Sequence, residues 1–338
     1  MVSRTPTKRK AIAALFIFVI AAFVAFVINV IVVSISPRDS QEIGQSEEMV
    51  DEDDVENVVD EPAEEDIDDR PMAISLQNVV DEWVGSTGGQ KGIIIYDLDL
   101  DEIVGEYQAT ESFRTASLYK LFVVYEGYLR LMRGELNGDD EIGWYGDDIT
   151  TCLDLAIRES NSSCAEPIWN LIGRYELDDI ILNDYQIEGA DISSLYATPK
   201  AIMEIMKKFY ELWNDEVALQ KYSSMIERMK DSFLNQPIVN GYDWRQGLPR
   251  GISDNINVYN KVGWQWSQEE DGSNGHWEIY DDAAIISFPD YWTDSLGEKH
   301  DRNFIVVVMT NNVRYQAIRE FGTMIENTVT KEKLTATL

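Results

Sequence analysis

The stretch "RTASLYKLFVVYEGYLRLMRG" (Arg114–Gly134) organises the whole chain around it. Its apolar positions recur at helical spacing, and Gly134 supplies the residue type that stops a helix. Near its start Ser117 precedes Lys120 by three residues, which on a helix puts both on one face with Cβ atoms roughly 5–6 Å apart. Two readings fit this pair. Ser117 caps the helix and Lys120 is solvated, or Ser117 is a nucleophile with Lys120 as its base. The second needs a lysine kept neutral by burial or by a neighbouring cation. The pair alone favours the cap.

Outward from this helix, residues 75–84 read as a helix, and "KGIIIYDLDLDEIVGEYQ" (91–108) reads as a β-hairpin turning at "DLDLDE". Residues 149–172 and 198–213 read as helices, the second opened by Pro199 in its first turn. Strand-like runs return at 257–264, 281–288 and 303–310, and residues 313–329 have the pattern of an amphipathic helix. No helix separates the late strands, so the expected fold is of α+β type. It has a five-stranded antiparallel sheet flanked by helices, assembled from both ends of the domain, with the middle as a helical lobe. A site is expected where sheet and lobe meet. The expected domain spans 73–330, with a tail at 331–338.

Residues 11–35, "AIAALFIFVIAAFVAFVINVIVVSI", are apolar except for Asn29 and Ser34 and are long enough to cross a bilayer. Arg4, Lys8, Arg9 and Lys10 precede them, so residues 1–10 are expected in the cytoplasm and the domain outside. The expectation is a single-pass anchor in the cell membrane. A cleaved signal peptide fits less well, because the run is longer than the usual apolar core of one. Roughly half of residues 36–72 are Asp or Glu, the composition of an extended acidic linker.

A net charge of −33 repels nucleic acid and excludes it as a partner of the soluble part. The same composition also fits adaptation to high salt. With two histidines, His276 and His300, and two cysteines, a Ser-His-Asp triad and a zinc cluster are both disfavoured. No cofactor and no metal are expected. Cys152 and Cys164 bracket "LDLAIRESNSS" and stand either as a disulfide, which is permitted outside the membrane, or as two buried thiols.

Two further segments bear on Ser117 and Lys120. "AIRESNSSCAE" (156–166) carries Ser160, Asn161 and Ser162, and "VYNKVGW" (258–264) carries Lys261 and Gly263 at the end of a β-rich run. In this order the three segments resemble the S-x-x-K, S-D-N and K-T-G signatures of the penicillin-recognising serine enzymes, and most of all the class A β-lactamases. The resemblance covers about 75 to 325. It implies a β-lactamase/transpeptidase-like fold with Ser117 acylated and Lys120 as its base. It further implies that Ser160 relays a proton to the leaving nitrogen, and that Lys261 holds Ser160 and attracts a substrate carboxylate. The backbone amides of Ser117 and Trp264 become the oxyanion hole. Gly263 is expected because a side chain there would crowd a substrate lying along the strand.

The departures are Ser162 where the motif has Asn, which shortens a donor to the substrate amide, and Val262 where it has Thr, which removes a hydroxyl. The family's deacylating Glu is not found before Thr198, where "YQIEGADISSLYATP" offers only Glu188 and Asp191. Glu166, four residues after Ser162, is a candidate deacylation carboxylate; a solvated helix carboxylate is its plainer reading. Trp264, Trp266, Trp277 and His276 either wall the site or pack a hairpin. The resemblance thus implies a membrane-anchored serine hydrolase, expected as a monomer, acting on β-lactam amide bonds with slow turnover. A D-alanyl-D-alanine peptidase is the alternative, and a weakly catalytic receptor for cell-wall peptide or β-lactam is the second.

Overall fold

The computed structural model describes residues 71–234, 246–267 and 275–336. Helix α1 (Gln77–Ser86) leads into a hairpin of β1 (Gln90–Asp97) and β2 (Glu102–Tyr107). A short β3 (Phe113–Arg114) and a 3-10 turn (Ala116–Leu118) then feed α2 (Tyr119–Arg133), which ends on Gly134 in the left-handed conformation. The middle lobe holds α3 (Ile149–Arg158), α4 (Ser162–Ile172), α5 (Arg174–Asn183), α6 (Pro199–Asn214) and α7 (Glu216–Phe233). Between α5 and α6 lies the small hairpin β4 (Ala190–Asp191) and β5 (Tyr196–Ala197). The chain then returns through β6 (Asn257–Ser267), β7 (His276–Thr293) and β8 (Lys299–Asn311) to α8 (Tyr315–Ala336).

The main sheet is five-stranded with order β2-β1-β8-β7-β6, every pair antiparallel. The pairing of β1 with β8, Gln90 opposite Asn311, joins the two ends of the domain as expected. Apolar side chains alternate between its faces. One face packs on α2 and the helical lobe, with Ala283, Ile285, Ile305 and Val307 in that core. The other packs on α1 and α8, with Ala284, Ile286, Val306 and Val308. Helix α2 lies deep between sheet and lobe, and Tyr119–Tyr128 are all buried, Lys120 among them.

The expected helix over 149–172 is two helices. Ser160 takes a left-handed φ of 54°, which breaks the run, and the Asn161 side chain restarts it by accepting a hydrogen bond from the Cys164 amide at 3.3 Å. Helices α5 and α7 were not anticipated, although the buried Leu177 and Ile181 of α5 stand at helical spacing. The closing helix runs past 330 to Ala336. The short stretch before Thr198 folds as the β4–β5 hairpin and leaves Glu188 and Asp191 exposed. No described helix is long and apolar enough to cross a membrane, and the apolar run 11–35 lies outside the described residues, as does the acidic stretch up to residue 70.

Candidate active site

The residues around Ser117 come from three elements. Ser117 sits in the 3-10 turn at the head of α2, partly exposed, after Ala116 with a φ of 41°. An alanine in that conformation is strained, and it holds the serine at the mouth of the sheet–lobe junction rather than in the helix. Lys120, one turn on, is fully buried. Its Nζ lies 3.3 Å from Ser117 Oγ, 3.0 Å from Ser162 Oγ and 3.5 Å from Ser160 Oγ, and donates to the Ser160 carbonyl at 2.5 Å. Burial pulls the Lys120 pKa down to about 8, against a smaller opposing effect of the Glu166 carboxylate. An amine so placed is neutral in about a tenth of molecules at pH 7, which is what a general base for Ser117 requires.

Lys261 approaches Ser160 from the opposite side. It is 1% exposed, and its Nζ donates to Ser160 Oγ at 2.8 Å and to the Val262 carbonyl at 2.5 Å. Desolvation lowers its pKa well below that of a free lysine, and the Lys120 charge lowers it further. The Ser160 hydroxyl therefore stands between two amines, on the residue whose left-handed backbone separates α3 from α4. The disulfide Cys152–Cys164 ties those two helices together across that turn, which settles the cysteines as a bridge.

Gly263 faces the nucleophile turn. A Cβ there would meet the Thr115 carbonyl oxygen at 2.8 Å and Leu118 Cγ at 2.9 Å, so the glycine lets β6 close against the nucleophile turn itself. That contact brings Trp264 beside Ser117's turn. The Trp264 side chain faces away from the lysines, into a group of rings with Trp277, Tyr280 and Tyr315.

Glu166 is 27% exposed and not free in solvent. One oxygen accepts from the Tyr119 hydroxyl at 2.9 Å and the other is paired with Arg174, whose guanidinium also lies over the Trp169 ring. Tyr119 and Arg174 had no place in the sequence reading. Nor did Asp281 and Asp282, both fully buried on β7 opposite Gly263 and Val262. Asp282 accepts from the Leu248 amide at 2.6 Å and from Asn260 at 2.9 Å, and desolvation raises its pKa to about 7. Asp281 accepts from the Thr310 amide at 2.6 Å, its second oxygen has no hydrogen-bond partner among the described residues, and desolvation raises its pKa well above the usual carboxylate range. Two adjacent carboxylates inside the apolar run "DDAAIISF" were the signal available for them.

Solved structures of the same fold include the ancestral (GNCA) class A β-lactamase, 15% identical over 75% of this chain and 99% of that one, with a TM-score of 0.54. The class A β-lactamase of the last common ancestor of Gram-negative bacteria is 16% identical over 75% and 98%, with a TM-score of 0.55. PBP-A is 14% identical over 78% and 99%, with a TM-score of 0.57. None of the curated proteins compared with the chain matches it by sequence. The family model described as "Beta-lactamase enzyme family" matches residues 75–330, the span that carries Ser117, Lys120, Ser160 and Lys261, and the chain belongs to that family.

Proposed function

We propose that the protein is a membrane-anchored, extracytoplasmic serine acyl-transfer enzyme that opens β-lactam amide bonds and releases the acyl group slowly. The observation that carries this reading is the Ser117–Lys120–Ser160–Lys261 chain, in which each successive pair of polar atoms lies within 3.5 Å. Neutral Lys120 takes the Ser117 proton as Oγ bonds to the carbonyl carbon. The oxyanion forms against the amides of Ser117 and Trp264. The C–N bond then breaks, the leaving nitrogen takes the Ser160 proton, and Lys120 replaces it. Ser162, at 3.0 Å from Lys120, helps to hold the amine in line.

Water must then hydrolyse the Ser117 ester. Glu166 is the candidate carboxylate to activate it, bonded to the hydroxyl of Tyr119, the neighbour of Lys120 in sequence. Tyr119 and Arg174 already occupy its two oxygens, however, and a water must compete with them. Acylation without fast deacylation is the result. A D-alanyl-D-alanine peptidase would use the same four side chains. A receptor that only binds would have no use for a lysine buried beside the serine, because taking an amine out of water without a counter-charge costs stability.

Intact-mass measurement of the full chain with a penicillin, beside Ser117→Ala, tests this. A lasting adduct on the wild type alone is expected. Antibiotic loss without an adduct would make it a fast β-lactamase. No adduct and no hydrolysis, with penicillin or with a D-alanyl peptide, would end the enzyme reading for those substrates.

A further inference from the structure

A cavity of about 250 Å³ lies where β3 and β5 meet the start of β7 and the end of β8. Ser117, Lys120, Ser160 and Lys261 are not among the residues that line it. Pockets that take drug-sized ligands run from roughly 300 to 1,000 Å³, so an occupant here has few heavy atoms. Phe113 and Ile279, both buried, give the cavity an apolar part.

The rest of the lining is polar and carries both signs of charge. Arg114 comes from β3 and Glu278 from β7. The Glu278 charge acts on the guanidinium, yet no ion pair or hydrogen bond joins these two described residues. Arg114 Nε donates instead to the Tyr196 hydroxyl at 3.3 Å, which uses one N–H of the five in the fork. Asn311, which also lines the cavity, donates its amide nitrogen to Gln90 at 3.4 Å. Its side-chain oxygen is buried and has no hydrogen-bond partner among the described residues.

This mixture selects against simple ions. An anion would gain Arg114 and oppose Glu278, and a cation would do the reverse. A molecule carrying both charges gains at both. A carboxylate fits an arginine fork through two parallel hydrogen bonds. An ammonium, with three donors and no acceptor, suits a carboxylate and an orphan amide oxygen. Such a ligand is neutral overall, so the net charge of −33 does not repel it.

We propose that this cavity binds a small α-amino acid as its zwitterion. The carboxylate lies on Arg114, the ammonium on Glu278 and Asn311, and a short apolar side chain against Phe113 and Ile279. The site is separate from the one around Ser117 and does not rest on the acyl-transfer reading.

Saturation-transfer NMR on the full chain in detergent tests this, with L-alanine and D-alanine as probes and acetate and methylammonium as the two half-ligands. At least one alanine should bind about tenfold or more tightly than either half-ligand. Arg114→Gln and Glu278→Gln should each weaken alanine about tenfold. They should also shift the half-ligands in opposite directions, Arg114→Gln towards methylammonium and Glu278→Gln towards acetate. A variant that merely disturbed the fold would not give those opposite shifts. Ser117→Ala should bind alanine as the wild type does. Absence of alanine binding, acetate or methylammonium binding as tightly as alanine, or alanine binding that both variants leave intact would overturn the inference. Loss of binding in Ser117→Ala would move the amino acid to the acyl-transfer site and overturn it as well.

Discussion

Ser160 Oγ accepts a hydrogen bond from Lys261 Nζ at 2.8 Å, although 101 residues separate the two in sequence. One partner is on the turn between two helices of the lobe and the other on the edge strand of the sheet. Their contact joins the lobe to the sheet beside Ser117, so the proposed acyl transfer depends on how those two parts of the domain meet.

On the proposed mechanism Lys120, as the base, sets the pH dependence of acylation. With its pKa near 8, Lys120 is mostly protonated below that value and cannot accept the Ser117 proton. The acylation rate should rise about tenfold per pH unit up to about pH 8 and level off above it. Stopped-flow acylation from about pH 6 to about pH 9.5 measures this. Lys120→Arg, always charged, should lose at least about 100-fold at every pH.

Gly263→Ala tests the seat of the nucleophile turn. A methyl group 2.8 Å from the Thr115 carbonyl must push β6 off the turn. Thermal unfolding should show a loss of about 1–3 kcal/mol, and acylation should fall more steeply than stability because Trp264 moves away from Ser117.

The disulfide braces Ser160. Cys152→Ala with Cys164→Ala should cost about 3 kcal/mol of stability for a loop closed over 12 residues. Denaturant unfolding reads that loss. Acylation should slow at temperatures where the protein is still folded, since the left-handed Ser160 turn loses its tether.

Asp281→Asn should stabilise the protein at neutral pH. The native pKa is raised by desolvation, so the wild type is most stable when the carboxyl is protonated and loses stability as pH rises from about 4, its unfolded value. Asparagine keeps an acceptor for the Thr310 amide and has no proton to lose. Its advantage should therefore grow as pH rises above about 4 in thermal melts.

Glu166→Gln separates water activation from helix charge. If the carboxylate activates the deacylating water, the acyl-enzyme should last at least about tenfold longer, while the acylation rate changes little beyond the shift in Lys120. Time-resolved intact mass gives both numbers. An unchanged lifetime would leave Glu166 as the partner of Tyr119 and Arg174 alone.

Much of this arrangement could be read from local pattern. Period-two and helical spacing located the hairpin, the late strands, α2 and α6, because burial of one face leaves its mark on neighbouring residues. Pro199 at the start of α6 and Gly134 at the end of α2 carried their boundaries. The order of Ser117, Lys120, Ser160 and Lys261 pointed to acyl transfer. The break at Ser160 was not legible, since nothing in "IRESNSS" requires a left-handed serine.

Residue types and their order determined most of the elements and the pairing of the chain's two ends in one sheet, and the family resemblance they carry pointed to the four side chains of the candidate site. Only tertiary structure decided that Lys120 and Lys261 are both buried against one hydroxyl, that Gly263 serves the nucleophile turn, and that Glu166 is tied to Tyr119 and Arg174. Those are properties of distance and desolvation. They depend on residues far apart in the chain, and no local spacing encodes them.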